Sequence, residues 1–231
     1  MNVNRGNKLG GICAILIGII NVLLIIYVVF TPAEQRYGTG EFLAYYAEDP
    51  IPLSVAWVML TVTSVLAFAV VPAVGDLLRS EGGEWIRAAS VYAIVGFAVM
   101  AVSFLTLIGK APDLAQAYVT GDEATRAAME AIGLPELDPN GWLMFGGAGV
   151  WTLVVSVVGL RSKRLAKLHA WIGIPCGICY WLTVFADVFT LEALNLVAAG
   201  GGAVLAPIWY TWMGIRLLAP SSIDSKSVVT R

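Results

Sequence analysis

The stretch LGGICAILIGIINVLLIIYVVFTPA, residues 9–33, contains no charged side chain. At a rise of about 1.5 Å per residue, a helix of about 20 apolar residues crosses a hydrocarbon core of roughly 30 Å. The stretch is longer than the apolar part of a typical signal peptide, and no small-residue cleavage pattern follows it. We therefore expect it to stay in the mature protein as a transmembrane helix.

Five more charge-free stretches of similar length follow, at residues 50–75, 88–109, 139–160, 168–186 and 193–215. In the whole chain 58% of the residues are apolar and 13% are charged, against roughly a quarter charged in ordinary globular proteins. The pattern predicts an all-α polytopic membrane helix bundle with six transmembrane helices, numbered here as spans 1 to 6. Residues 1–219 are expected to form a single transmembrane domain, and residues 220–231 a short polar tail.

Lysine and arginine are distributed unevenly between the predicted loops. An even number of spans puts both termini on one side, where eleven basic residues fall, against three on the other side. Basic residues concentrate in cytoplasmic loops. We therefore expect both termini in the cytoplasm and an acid-rich outer face.

Two predicted outer loops contain amphipathic segments, EFLAYY at residues 41–46 and DEATRAAMEAI at residues 122–132. Both are expected to form short helices that cover the outer side of the bundle, and a lid over a substrate entrance is the alternative. TPAE at residues 31–34 has the form of a capping box, which would extend or restart the first helix.

Small residues recur at helical spacing within the spans, as expected where helices approach closely in lipid. They are Gly10, Ala14 and Gly18 in span 1, Gly146, Gly147 and Gly149 in span 4, Gly173 and Gly177 in span 5, and residues 198–203 in span 6. Asn21, near mid-depth, is expected to form an interhelical hydrogen bond, with a polar cavity as the alternative. Trp151 is expected either to pack between helices or to line a buried ligand cavity.

One face of span 5 combines nearly all of its polar and small side chains when successive residues are turned by 100°. That face carries Gly173, Cys176, Gly177, Tyr180, Thr183, His169 and Asp187, with Cys179 on its shoulder. The opposite face carries side chains that are predicted to point toward lipid: Trp171, Ile174, Ile178, Leu182 and Phe185. His169 and Asp187 lie too far apart to pair, and each is expected at a solvated rim.

The segment IPCGICYW, residues 174–181, places two cysteines three residues apart. In a soluble protein this spacing indicates thiol redox chemistry or a metal site. At this depth a thiolate is disfavoured, so packing is the preferred interpretation. A redox role would require Pro175 to start a half-helix, and Cys13 would then be a third thiol. Two thiols with one distant histidine are a poor ligand set, so no metal and no cofactor are predicted.

The ending APIWYTWMGIRLL, residues 206–218, resembles the prokaryotic membrane family called domain of unknown function 4386, and KLGGICAILIGII at residues 8–20 is also similar. The resemblance spans most of the chain. It implies a bacterial or archaeal cytoplasmic membrane and supplies no catalytic residues.

Few ionisable groups and many small residues in the spans favour a non-enzymatic function. The hypothesis is a protein that binds a small apolar ligand in its bundle or serves as an accessory subunit of a membrane assembly. Candidate ligand-binding residues are Asn21, Trp151, Cys176, Tyr180, Thr183 and Asp187. A thiol-quinone oxidoreductase using Cys176 and Cys179, with Cys13, is one alternative, and a secondary transporter is another. Expected partners are membrane lipids and either another membrane protein or a second copy of the chain, and no nucleic acid.

Overall fold

The computed structural model describes residues 3–31, 42–133 and 136–219. Of the described residues, 89% are helical and none is in a strand, so the all-α prediction is confirmed. The helices are α1 Val3–Phe30, α2 Phe42–Glu48, α3 Ile51–Thr120, α4 Glu123–Ile132, α5 Met144–Arg161, α6 Lys167–Val188 and α7 Glu192–Leu218. The predicted tail at residues 220–231 and most of the TPAE motif lie outside the described residues.

Helices α1, α3, α5, α6 and α7 are long and apolar enough to cross a membrane. Their outward faces carry many exposed large apolar side chains, such as Val29, Leu196 and Val197. In water such surfaces would promote aggregation, whereas in a bilayer they are the surface that lipid requires. The chain is a multi-pass membrane protein.

Helix α3 has 70 residues, which at the helical rise would span about 100 Å, far more than the roughly 30 Å hydrocarbon core. Gly83 interrupts it with non-helical φ and ψ of 47° and −125°, a conformation that glycine adopts without steric cost. The first arm, residues 51–82, packs back on the second arm, residues 84–120: Trp57 shares a buried cluster with Leu107 and Ala111. The segment 76–87, predicted as a loop, is therefore helical apart from a turn at Gly83.

The long helices form a closed ring in the order α3, α5, α6, α7, α1 and back to α3. The first arm of α3 packs on α1, where a Cβ at Gly10 would lie 2.3 Å from Ala73 Cβ. The second arm packs on α5, where a Cβ at Gly147 would lie 2.8 Å from Tyr92 O. The main core cluster, which includes Trp151 and Trp209, lies inside this ring.

The predicted small-residue contacts are confirmed at most of the helix seams. Gly149 and Gly177 face each other's carbonyl oxygens across α5 and α6, and Gly18 packs against Pro207 and Thr211 of α7. Gly11 and Gly214, which were not predicted, also face each other's carbonyl oxygens across α1 and α7. The run at residues 198–203 is different, because a Cβ at Gly200 would meet nothing within 4 Å. That part of the run faces open space instead of a neighbouring helix.

Short helices are present where the two amphipathic segments were predicted. Phe42, Leu43 and Tyr46 of α2 are buried in a second cluster with both arms of α3, and Tyr46 stacks on Trp57 at 5.6 Å between ring centroids. Helix α4 has no buried residue, but Tyr118 Oη donates to Glu130 Oε1 at 2.6 Å. Both helices therefore lie beside the ends of the α3 arms that are distant from Gly83.

Candidate functional site

A groove of about 600 Å³ runs along the outward side of α7, and we call it the α7 groove. It is lined by Val22 and Ile25 of α1 and by Val204, Pro207, Ile208, Thr211, Trp212 and Ile215 of α7. Small-molecule sites commonly measure about 300–1,000 Å³ and are mostly apolar. In size and lining the groove therefore resembles a ligand site that opens toward lipid.

Helical periodicity and close helix packing together produce this groove. Val204, Ile208, Thr211 and Ile215 recur at spacings of three and four, so they share one face of α7. Helix α1 approaches α7 closely at Gly18, where a Cβ would lie 2.1 Å from Thr211 Oγ1 and 3.0 Å from Pro207 O. This approach places the side chains of the next turns of α1 beside α7 as one wall of the groove.

The groove occupies one half of α7. Val204 lies near the middle of this 27-residue helix and Ile215 lies near its C-terminal end. Eleven residues at the helical rise correspond to about 16 Å, which is about half of a hydrocarbon core of roughly 30 Å. The groove therefore has the length of a single membrane leaflet.

Trp212 joins the groove to a buried group of aromatic rings, which we call the aromatic centre: Trp151, His169, Trp209, Tyr210 and Trp212. The ring of Trp212 stacks on His169 with centroids 5.2 Å apart. His169 Nε2 lies 3.1 Å from Trp209 O, and because a carbonyl only accepts, Nε2 carries the proton in this bond. Trp209 meets Trp151 edge to face at 5.4 Å. His169 is 1% exposed, so its prediction as a solvated rim residue is wrong.

Four polar atoms of α5 and α7 are buried without a hydrogen-bond partner in the described part of the protein, and two of them belong to the aromatic centre: Trp151 Nε1, Thr152 Oγ1, Ser156 Oγ and Trp209 Nε1. Two of them converge on Gly173 of α6. A Cβ at that residue would lie 2.0 Å from Ser156 Oγ and 2.3 Å from Trp209 Nε1. Glycine at this position therefore lets α5 and α7 place their polar atoms against the backbone of α6.

The predicted polar face of α6 is confirmed in its burial pattern. His169, Gly173, Cys176, Gly177 and Thr183 are buried. On the predicted lipid face Trp171, Ile178 and Phe185 are exposed, whereas Ile174 and Leu182 are half-buried. The side chains of the polar face interact mainly within the protein. Thr183 Oγ1 donates to Cys179 O of its own helix at 3.1 Å, Tyr180 stacks on Phe145, and Asp187 Oδ1 accepts from Asn195 Nδ2.

The candidate ligand-binding residues do not come together in one site. Trp151 and Cys176 are in the main core cluster, whereas Asp187 lies at the far end of α6. Asn21 Nδ2 donates to Ile17 O of its own helix at 2.8 Å. The predicted interhelical hydrogen bond of Asn21 is therefore wrong, because a carbonyl one turn earlier lies within reach of the amide.

The cysteines lie in packed surroundings. Pro175 is inside the continuous helix α6, so the half-helix start that a redox role requires is not formed there. Cys13 and Cys176 are buried, Cys179 is half-buried, and all three are free. Among the residues with assigned structure, no group of three or more His, Cys, Asp or Glu side chains is placed to hold a metal ion.

Two features of the structure were not predicted from the sequence. Asp138 is buried, and its Oδ2 accepts from Leu143 N at 2.7 Å and from Met144 N at 2.8 Å, at the start of α5. The DPNG run at residues 138–141 was an available turn signal, and Gly141 has a φ of 70°. The α7 groove was also missed, because it depends on how closely α1 approaches α7 and on no pattern within either helix.

Comparison with known proteins links the chain to one family. The family model described as Domain of unknown function (DUF4386) matches residues 9–220. This match includes the residues 206–218 that carry the resemblance and contain Pro207, Trp209 and Trp212 of the groove and the aromatic centre. The comparisons with curated proteins and with solved structures gave no match. The chain belongs to the DUF4386 family, as the resemblance predicted.

Proposed function

We propose that this protein is a six-span protein of the prokaryotic cell membrane that binds a lipophilic molecule in the α7 groove and catalyses no reaction. Each of the two arms of α3 is long enough to cross the membrane, and together with α1, α5, α6 and α7 they give six crossings. An even number of crossings leaves both termini on one side, which the basic loops assign to the cytoplasm.

Contacts at one end of the bundle support this topology. Arg164, between α5 and α6, donates from Nε and Nη2 to Glu81 Oε1 at 3.1 and 3.0 Å, beside the Gly83 turn. Arg216 Nε, near the end of α7, donates to Arg164 O at 3.1 Å. Three segments that the charge distribution assigns to the inner side thus meet at the same end.

The α7 groove is the observation on which the binding function depends. The groove opens on the outer surface of the bundle, where the surrounding helices also expose apolar side chains. Its environment is therefore the hydrocarbon of the membrane. Association in lipid relies on packing, because both the groove and the membrane interior are apolar. A molecule with a hydrocarbon chain that fits the groove makes more van der Waals contacts there than on the smoother faces of the bundle.

The interior of the ring gives less support to a ligand site. Trp151, Trp209 and Met213 are fully buried and pack among other core side chains. The neighbouring aromatic rings fill the centre where the sequence placed a candidate cavity. The groove, in contrast, offers an open volume along the bundle surface. We therefore assign binding of the apolar ligand to the groove.

Retention of a lipophilic molecule by the purified protein tests this function. Ile208→Trp fills the groove at a residue that is 46% exposed, and Val197→Trp places the same ring on the same helix outside the groove, at a residue that is 71% exposed. We expect native mass spectrometry in mild detergent to show a bound lipophile on wild type and on Val197→Trp, and several-fold less on Ile208→Trp. Equal retention by both variants, or a stoichiometric protein partner with no lipophile, would contradict the proposal.

A further inference from the structure

The end of the α7 groove is flanked by basic residues from two helices, α1 and α7. We propose that the ligand is an anionic phospholipid of the adjacent leaflet, with one chain in the groove and its phosphate between Lys8 and Arg216. This inference rests on the proposed function, because it names the class of molecule that occupies the same groove.

Arg216 follows the groove directly on α7. It lies four residues after Trp212, so it shares the face of Trp212 one turn farther along the helix. Its Nε donates to Arg164 O, which uses one of the five N–H donors of the guanidinium. In the described part of the chain no carboxylate lies within ion-pair distance of Arg216. The guanidinium therefore retains a net charge for an anion.

Lys8 lies on the face of α1 that meets α7. Residues 8, 11, 15, 18 and 22 recur at spacings of three and four, which places them on one side of the helix. Gly11 contacts Gly214 and Leu218, and Gly18 contacts Thr211, so this side faces α7. Lys8 is exposed, one turn beyond Gly11, and therefore lies at the same end of the groove as Arg216.

Lys167, the first residue of α6, does not contribute to this site. It is exposed, and His169, two residues on, stacks on Trp212 of the groove wall. Because residues two apart lie about 200° apart around a helix, Lys167 projects from the side of α6 that faces away from Trp212. The cations of the site are therefore Lys8 and Arg216, and among the described residues Lys8 has no carboxylate within ion-pair distance.

The dimensions and the charge of this region select a phospholipid over other lipophilic molecules. A groove about 16 Å long, from mid-bundle to the basic end, matches one chain of one leaflet. A neutral molecule such as a quinone gains nothing from two cations at that end. Each basic side chain near a membrane surface strengthens binding to anionic lipid about fivefold. These cations lie beside the groove and not only in the loops. We therefore assign them a function in addition to setting the orientation of the protein in the membrane.

Competition between two lipids with identical chains tests the inference. Delipidated protein in mild detergent is titrated with dioleoyl phosphatidylglycerol or dioleoyl phosphatidylcholine, and bound lipid is counted by native mass spectrometry. We expect phosphatidylglycerol to bind at least tenfold more tightly to wild type. Lys8→Gln and Arg216→Gln should each reduce this preference about fivefold, and added salt should reduce it further. Lys110→Gln, which removes an exposed cation from the far end of α3, should leave the preference unchanged.

The variants separate failure of this inference from failure of the proposed function. Equal binding of both lipids by wild type, with loss of both in Ile208→Trp, would overturn the anionic headgroup site and leave the groove as a lipophile site. Binding that Ile208→Trp does not change would overturn both. Because Arg216 also bonds to the loop that precedes α6, Lys8→Gln supplies the decisive result if Arg216→Gln does not fold; an unchanged preference in Lys8→Gln then contradicts the inference.

Discussion

Gly173 of α6 and Ser156 of α5 are in such close contact that a Cβ at Gly173 would lie 2.0 Å from Ser156 Oγ. Trp209 Nε1 of α7 would be 2.3 Å from the same Cβ. The absence of a side chain at one residue therefore determines how three helices meet beside the aromatic centre. Glycines at other helix seams have the same role, and they differ in what a methyl group would contact.

Gly173→Ala is expected to destabilise the protein by about 1–3 kcal/mol, the usual cost of overpacking a core. The added methyl displaces either the Ser156 hydroxyl or the Trp209 indole. Gly200→Ala is the matched control, since a Cβ there meets nothing within 4 Å. The thermal unfolding midpoint in detergent should fall for the first variant and stay near wild type for the second. Equal unfolding midpoints for Gly173→Ala and Gly200→Ala would show that α6 can move to accommodate the methyl group without loss of stability.

Gly96→Ala is expected to be at least as destabilising, because its methyl would meet backbone. A Cβ at Gly96 would lie 2.1 Å from Leu143 O, whereas one at Gly75, in the other arm of α3, would lie 3.6 Å from Ser90 Oγ. A carbonyl cannot rotate away as a side chain does. Thermal unfolding should separate Gly96→Ala from Gly75→Ala by several degrees, and similar midpoints for the two would contradict the close contact of α3 with α5.

The position of the long helices could be predicted from sequence, because the cost of a charge in hydrocarbon restricts charged residues to the ends of spans. The burial of the α6 face was equally predictable, since small and polar side chains at helical spacing mark a seam in lipid. Gly173, Cys176 and Gly177 follow that rule. These predictions use properties of one helix at a time.

Features that depend on two or more helices could not be predicted in this way. His169 lies near the start of α6, so depth alone suggested water contact, but Trp209 and Trp212 of α7 cover it. Asn21 donates a hydrogen bond to a carbonyl of its own helix, although an asparagine could equally have bonded to a neighbouring helix. The α7 groove exists because glycines bring α1 close to α7. Relative helix positions are set by tertiary packing, which a single-helix pattern does not contain.

Asp138→Ala should loosen the start of α5. The Asp138 carboxylate accepts from two backbone N–H groups there, and loss of a capping acceptor typically costs about 0.5–2 kcal/mol. Hydrogen exchange at Leu143 and Met144 should increase, together with a lower unfolding midpoint. Asp138→Asn keeps an acceptor oxygen, so its exchange rates and its unfolding midpoint should lie between those of wild type and of Asp138→Ala. Asp113→Ala, at an exposed residue, is the control. If exchange in Asp138→Ala is as slow as in wild type, the capping role is refuted.

The cysteines should differ in reactivity according to their burial. Cys13 and Cys176 are buried, while Cys179 is half-buried and its Sγ would lie 2.9 Å from a Cβ at Gly201. A membrane-permeant maleimide should therefore label Cys179 slowly in the folded protein and label the other two only after unfolding in detergent. Val197→Cys, at an exposed residue of α7, is the positive control for access of the reagent.

The same labelling distinguishes packing from a dithiol that cycles between two redox states. If Cys176 and Cys179 only pack, the number of maleimides per unfolded chain is three from oxidised and from reduced membranes alike. A redox pair would instead lose two labelled thiols in the oxidised sample, because a disulfide removes both from reaction. The continuous helix across Pro175 leaves both sulfurs on one helix without the free N–H groups that favour a thiolate. We therefore expect three labels under both conditions.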